Sequence, residues 1–432
     1  MTMTRIRPNS FSKLVTAIAL AMMLLPGAAL AGKKKQAPEP ASGPKKPDYV
    51  YFDISKIVWP NPPAVARIRF VNLFTGEKVD WSKYDKSNRK QKQKWMDRLA
   101  GTKPDNQVDA KDIPYQLVRT YGVAIDSKGQ IYAADQSVGA IFIFNPETKA
   151  VEMIRNGHEA HLPMMVGLAI DDSDRLYVTD DKLREVMIFD AKHQPVAGFG
   201  ADVIGRPGGV AIDNENRFLY VVDTENDVVD VFDADTFKLL RKIGTPGKKH
   251  TLTDPGTFSL PTFVAVDKDG NVYVTDTLNA RVQVFDADGQ FISTFGKRGD
   301  APADFIRPKG IAVDGDGHIW VVDSGQNRVK VFDRDGQLLI YIGGLGNYPG
   351  QFMEPYAIAI DKNNRVVTSE QAPGRVQMFR YVSDSEADDI RKEMAKAGKT
   401  TAAPDEKTSA TAEVKNSAAE AKDGANAQKQ PR

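Results

Sequence analysis

The fold is decided by two stretches that share one pattern. Residues 261–296 read PTFVAVDKDGNVYVTDTLNARVQVFDADGQFISTFG, and residues 308–343 read PKGIAVDGDGHIWVVDSGQNRVKVFDRDGQLLIYIG. Each contains four short runs of β-branched and aromatic residues separated by turn residues, which is typical of antiparallel strands. Asp-Gly pairs such as Asp269-Gly270 supply the positive φ angles that tight hairpins need. Each stretch is therefore predicted to form a four-stranded antiparallel unit.

The same phrase recurs about every 42 to 54 residues, which gives six copies. The other four begin at Tyr121, Pro163, Pro207 and Pro355. A four-stranded unit cannot bury both of its faces alone, and radial closure of six units leaves few exposed edges. The sequence thus predicts an all-β fold, a six-bladed β-propeller over residues 116–383.

The repeated phrase resembles the NHL repeat. It reads P-x-G-[IV]-A-[IV]-D, then [IV]-[YW]-V-[TV]-D, then R-V-x-V-F-D-x-D-G, and copies four and five match it over nearly their whole length. Copies one, two and six are weaker matches. The resemblance covers roughly residues 120–383, and it too implies a six-bladed propeller of the exported bacterial type.

The sixth copy lacks a fourth strand, because Tyr381 is followed by a polar tail. The segment 65–71 (VARIRFV) alternates after a Pro-rich lead-in, so it is predicted to pair with the last blade and close the ring. It belongs to an N-terminal extension, residues 49–115, in which residues 81–99 are predicted to form a basic helix.

The N-terminal end of the sequence predicts export, and the C-terminal end predicts disorder. Residues 1–31 have a basic start, an apolar run and Ala29-Leu30-Ala31, the layout of a cleaved secretory signal peptide. An uncleaved anchor is the alternative, but its roughly 12 apolar residues fall short of the roughly 20 that span a bilayer. A periplasmic or extracellular location is expected, with no transmembrane segment after cleavage. Residues 32–48 form a Pro- and Lys-rich linker, and residues 384–432 a disordered low-complexity tail with a short helix around 385–396.

In a propeller the innermost strands line the axis, so the residues at their starts surround the channel mouth. Aligning the six copies places there Tyr121, Val166, Gly208, Thr262, Lys309 and Tyr356. Resemblance to the peptidylglycine amidating lyase would require histidines at these positions, and the calcium-dependent lactonases would require Glu, Asn and Asp. None of the six is one of these. The five side chains other than Gly208 are candidate ligand contacts, and no catalytic residue is predicted.

A second set of acidic residues ends the second strand of each copy: Asp135, Asp180, Asp223, Asp276, Asp323 and Glu370. These residues could form an acidic crown for a cation or a basic partner. The alternative is structural: each caps a turn by accepting backbone N–H groups and binds a neighbouring arginine such as Arg281 or Arg328. The structural interpretation is favoured.

Metal and nucleic-acid sites have weak support. His158 and His161 are the best candidate metal ligands, but the five histidines are scattered and there is no cysteine. No cofactor is predicted. A net acidic propeller argues against nucleic acid.

The predicted function is therefore a non-enzymatic extracytoplasmic binding or scaffold protein. Its partner would be a protein or peptide, or an envelope glycan, bound through the variable loops 156–163, 245–260, 297–307 and 344–354. The rival hypothesis is a metal-assisted lyase or lactonase on the same propeller. Fold alone does not decide between them.

Overall fold

A computed structural model describes residues 53–78, 114–157, 160–245, 250 and 253–396. These residues belong to one compact unit that begins at Asp53. The predicted signal peptide, linker and basic helix, and the tail beyond residue 396, lie outside the described residues. Across the part that is described, no helix is both long and apolar enough to cross a membrane.

Strands β1 to β25 are numbered in chain order. A 3₁₀ turn (Ile54–Lys56) precedes β1 (Val58–Trp59) and β2 (Ile68–Phe74). Blade 1 is β3 (Thr120–Ile125), β4 (Ile131–Asp135), β5 (Ala140–Phe144) and β6 (Val151–Arg155); blade 2 is β7 (Met165–Ile170), β8 (Leu176–Asp180), β9 (Glu185–Phe189) and β10 (Pro195–Phe199). Blade 3 is β11 (Pro207–Asp213), β12 (Phe218–Asp223), β13 (Val228–Asp233) and β14 (Leu239–Ile243); blade 4 is β15 (Pro261–Val266), β16 (Val272–Asp276), β17 (Arg281–Phe285) and β18 (Phe291–Phe295). Blade 5 is β19 (Pro308–Val313), β20 (Ile319–Asp323), β21 (Arg328–Phe332) and β22 (Leu338–Gly343); blade 6 begins with β23 (Pro355–Ile360), β24 (Arg365–Glu370) and β25 (Arg375–Tyr381).

Each blade is an antiparallel sheet, and in blades 1 to 5 its strands follow the chain from the axis outwards. Six such sheets confirm the six-bladed propeller predicted from the repeat. Apolar side chains from neighbouring blades form the core, as where Trp320 of blade 5 packs in one cluster with Ile358 and Phe379 of blade 6. The innermost strands approach closely: a Cβ at Gly310 would lie 2.7 Å from the Ala357 Cα, so a side chain at residue 310 would push blades 5 and 6 apart.

The last blade is completed by the N-terminal strand β2, as predicted. It pairs antiparallel with β25, from Ile68 opposite Tyr381 to Phe74 opposite Val376. The strand occupies Ile68–Phe74 rather than 65–71, because a register shift between Phe70 and Asn72 extends the pairing to the buried Phe74. Strand β1 adds a short fifth strand outside β2, which the sequence pattern did not indicate.

A helix follows the last blade. Helix α1 spans Asp384–Lys396, where the sequence predicted a short helix at 385–396. Its start is held to the propeller by an ion pair between Asp384 and Arg67, the residue before β2. The first part of the predicted disordered tail is therefore helical.

Candidate functional site

The six residues aligned at the channel mouth line a single cavity of about 170 Å³. Each is the second residue of its innermost strand, so the repeat itself places them at one level around the axis. We call this space the mouth cavity. The chain also contributes to its lining Gln136, Met164, Asp181, Arg206, Pro207, Thr224 and Leu260.

Aromatic rings cross the axis at the mouth cavity. The rings of Tyr121 and Tyr356 meet edge to face with centroids 4.8 Å apart. Phe263, one residue further from the mouth on β15 than Thr262, contacts the Tyr356 ring at 5.3 Å between centroids. Burial raises the pKa of Tyr356, so its hydroxyl stays protonated at neutral pH. Because blades 4 and 6 are not neighbours, these rings close the cavity on its inner side.

Lys309 is the unusual member of the ring. Its ammonium group lies 5.4 Å from the centroid of the Tyr356 ring. Arg307 and Arg206 are cationic neighbours of this ammonium group, and no carboxylate of the described residues forms an ion pair with it. Burial, assisted by these two arginines, lowers the pKa of Lys309 to about 8. The mouth cavity therefore presents a cation that the described part of the protein does not neutralise.

The other charged groups of the cavity neutralise each other. Arg206 forms an ion pair with Asp181 at 3.2 Å between Nη2 and Oδ2. The buried Thr262 hydroxyl is also occupied, because its Oγ1 lies 2.7 Å from the Thr277 Oγ1, which donates to the Pro308 carbonyl. The net charge of the described lining is thus that of Lys309.

The six acidic residues that end the second strands are completely buried and do not line the cavity. Asp135 is representative: its Oδ2 accepts the N–H groups of Val118 and Arg119, and its Oδ1 accepts those of Ser137 and Val138. Such a carboxylate joins the segment that leads into a blade to the turn after its second strand. This geometry supports the structural interpretation, not a cation-binding crown.

Three of these acids also hold a buried basic group. Asp276 accepts from Arg281 Nε at 2.8 Å, as expected, and Glu370 accepts from Arg375 Nε at 2.7 Å. The expectation for Arg328 is wrong. Asp323 pairs with Lys330 at 3.0 Å instead, and the Arg328 guanidinium stacks 4.3 Å from the Tyr341 ring centroid.

The weak metal candidates are not brought together. His161 is exposed in the connection to blade 2, and His158 lies outside the described residues. No cluster of three or more His, Asp or Glu side chains with metal-binding geometry occurs in the described ranges. Among the described residues that line the mouth cavity, Asp181 is the one carboxylate and none is a histidine.

Two charged residues of the cavity, Asp181 and Arg206, were not predicted from the sequence. Both occupy repeated positions: Arg206 directly precedes an innermost strand, and Asp181 directly follows a second strand. An alignment of those two positions across the six copies would have identified them. Of the predicted contact loops, 297–307 supplies Arg298, Ile306 and Arg307 beside the mouth.

Comparison with known families agrees with the fold. A family model described as a 6-bladed beta-propeller matches residues 264–329 and 315–375. A second, described as the SMP-30/Gluconolactonase/LRE-like region, matches residues 186–296. The repeat, the sheets and these matches define the protein as a six-bladed β-propeller.

Similarity to individual proteins is partial. A probable peptidyl-alpha-hydroxyglycine alpha-amidating lyase of Caenorhabditis elegans is 35% identical over 99 residues, which is 22% of this chain and 27% of that protein. The chain therefore matches about a quarter of the length of this relative.

Similar solved structures have lower sequence identity to this chain. A Bacteroides thetaiotaomicron protein of unknown function aligns with a TM-score of 0.49 and 20% identity, covering 61% of this chain and 70% of that one. Virginiamycin B lyase from Staphylococcus aureus gives 0.46 and 14%, over 61% and 96% of the two chains. A Xanthomonas campestris gluconolactonase gives 0.47 and 17%, over 61% and 86%.

Proposed function

We propose that the protein is an exported propeller of the NHL type that binds a protein or peptide partner at its channel mouth without catalysing a reaction. The observation that carries this proposal is Lys309, a half-buried cation in a preformed cavity with no carboxylate partner among the described residues. A desolvated cation is costly unless a counter-charge reaches it, so the cavity favours an anionic group from another molecule.

A protein or peptide suits this mouth better than a neutral glycan. Sugars stack on open aromatic faces, whereas Tyr121 and Tyr356 are packed edge to face against each other. Met164, on the cavity wall, is 39% exposed, which adds an apolar contact of the kind common at protein interfaces.

Site-specific photo-crosslinking in the native envelope fraction tests the proposal. A photoreactive benzoyl-phenylalanine replaces Met164, 39% exposed at the mouth, or Phe291, 38% exposed on strand β18, as a matched control. The variant at residue 164 should give a discrete covalent adduct that the variant at residue 291 does not give. Equal labelling from both positions, or none from residue 164, would contradict mouth binding.

A second candidate function is a lyase or lactonase acting at the same mouth. The match of residues 186–296 to the SMP-30/Gluconolactonase/LRE-like region and the partial similarity to an amidating lyase favour it. Against it, Asp181 is the sole carboxylate of the described lining and forms an ion pair with Arg206, so the described lining offers no converging set of acidic metal ligands. Incubation of the purified protein with a peptidyl α-hydroxyglycine and with an aldonolactone distinguishes the two functions. Turnover of either, lost in Lys309→Met, would replace the binding proposal.

A further inference from the structure

A groove of about 370 Å³ adjoins the mouth cavity between blades 4 and 5. It shares Leu260 and Lys309 with the cavity, so the two spaces are continuous. We call it the blade 4–5 groove. Its walls combine apolar side chains with arginines: Leu260, Leu278, Ile306, Arg298 and Arg307.

The apolar side chains of the groove are open to solvent. Leu278 is 45% exposed and Ile306 is 36% exposed, although both lie beside a concave surface. Exposed apolar side chains that line a groove with a polar rim are typical of a binding site. The groove can therefore accept apolar side chains from a ligand.

The charge of the groove is positive. Arg298 donates to the Leu278 carbonyl at 2.6 Å, which fixes its guanidinium at the rim. Within the described ranges, no carboxylate forms an ion pair with Arg298, Arg307 or Lys309, so three cations lie along one path without a counter-ion from the protein. Charge complementarity thus selects an anionic ligand.

The shape of the mouth cavity selects the end of a chain. The crossed rings of Tyr121, Tyr356 and Phe263 block the axis, so a chain entering the mouth cannot pass through. At roughly 30 Å³ for each water-sized group, the cavity of about 170 Å³ has room for one terminal residue with its carboxylate but not for a longer segment, whereas the groove of about 370 Å³ is more than twice as large. An anionic chain end therefore fits the cavity, and the residues before it fit the groove.

We propose that the mouth cavity and the blade 4–5 groove bind the C-terminal segment of a peptide, with its terminal carboxylate at Lys309 and apolar side chains against Leu278 and Ile306. This inference rests on the proposed function, because it names the partner's chemistry at the same mouth. An internal acidic residue has a peptide backbone but is not a chain end. A free alkanoate has a terminal carboxylate but no peptide backbone.

Equilibrium dialysis against randomised tetrapeptides tests this assignment. The purified full chain is dialysed against N-acetylated tetrapeptide pools, one with free carboxylates and one with C-terminal amides, and retained peptides are quantified by mass spectrometry. Free acids with apolar last residues should be retained at least tenfold better than the matching amides. Equal retention of the amides, or no retention of the acids, would overturn the proposal.

Matched variants separate the two contacts. Lys309→Met should abolish the preference for the free acid, while Lys192→Met, in an exposed turn on the opposite face, should keep it. Leu278→Ser should weaken acid and amide alike by at least fivefold. Its control is Leu240→Ser, equally exposed at 46% on strand β14, which should bind as the wild type does.

Two further binding experiments test whether the site prefers a carboxylate of another kind. An amidated peptide with an internal glutamate that binds as tightly as the free acids would replace the chain end by an acidic side chain. Dodecanoate bound as tightly as the best peptide would assign the site to lipid-type carboxylates and overturn the peptide. If crosslinking at residue 164 succeeds while acids and amides bind equally, this inference fails and the proposed function stands.

Discussion

Two rings of six residues surround the axis of this propeller, and they differ in what the repeat preserves. The ring at the ends of the second strands is acidic in every blade, fully buried, and hydrogen-bonded to the segment that leads into its own blade. The ring at the mouth has a different residue in nearly every blade, and its members line an open cavity. A position that every blade needs for folding is repeated, whereas a position that folding does not constrain is free to specify a ligand.

Removing the closing strand should have the largest effect, because it is the part of the ring that no repeat supplies. A chain beginning at Lys78 loses the buried Ile68, Phe70 and Phe74 and leaves β25 as an open edge. At about 1.5–3 kcal/mol for each large buried side chain, the expected loss is on the order of 5 kcal/mol or more, with aggregation. Thermal denaturation and light scattering measure it. A chain beginning at Asp53 is the control, and equal melting of the two chains would show that β2 does not close the propeller.

The acidic ring should be the next most sensitive feature. Asp276→Ala removes the acceptor for the Ser259 N–H and leaves Arg281, whose side chain is 11% exposed, without its carboxylate. Breaking such a buried pair costs about 3–5 kcal/mol, measurable by urea denaturation. The surface pair of Asp269 and Arg334 provides the control, since Asp269→Ala should cost no more than about 1 kcal/mol. Similar costs for the two substitutions would show that the acidic ring contributes no more to stability than a surface ion pair does.

The mouth ring should behave in the opposite way. The pKa of Lys309 is lowered from 10.5 to about 8, so between these values the unfolded chain binds more protons than the folded one. The free energy of unfolding should therefore rise from pH 8 towards pH 10.5, and Lys309→Met should remove this contribution and be at least as stable as the wild type at pH 7. Urea denaturation at pH 7, 8.5 and 10 tests both statements. A clear loss of stability in Lys309→Met would show instead that Lys309 stabilises the fold.

Removal of metal should have the smallest effect. The acids of the buried ring accept N–H groups of the described chain, three of them also pair with a basic side chain, and Lys309 at the mouth repels a metal cation. Dialysis against a strong chelator should therefore leave the melting temperature unchanged. Calorimetry before and after dialysis gives the comparison. A fall of several degrees that calcium or zinc reverses would reveal a bound ion and favour the enzymatic candidate.

Most of the fold could be predicted from the sequence because the four-strand pattern occurs in six copies. The strand runs, the turns and the missing fourth strand in the last copy were each visible in the sequence, and so was the alignment of Tyr121, Lys309 and Tyr356 at one level. The bounds of β2 were predicted as 65–71 and are Ile68–Phe74, since a bulge between Phe70 and Asn72 interrupts the alternation on which the prediction depended.

The contents of the site were harder to predict because they depend on pairing in space. Lys330 and Arg328 are two residues apart on β21, so both face the same side of the strand. Which of them reaches Asp323 is decided by packing against Tyr341. The blade 4–5 groove joins residues from two copies and a connecting loop, and no single repeat contains it.

The pairing of β2 with β25 also determines when folding of the propeller can be completed. Arg67 and Tyr381, which bond across it at 2.9 Å, are 314 residues apart in the chain. At about 5–20 residues per second, synthesis takes on the order of 15 to 60 s to supply the partner of a strand made near the beginning. Five blades can form during that interval, but the circle cannot close. Assembly of this protein therefore ends with its earliest described segment, and β2 must stay unpaired and soluble until β25 arrives.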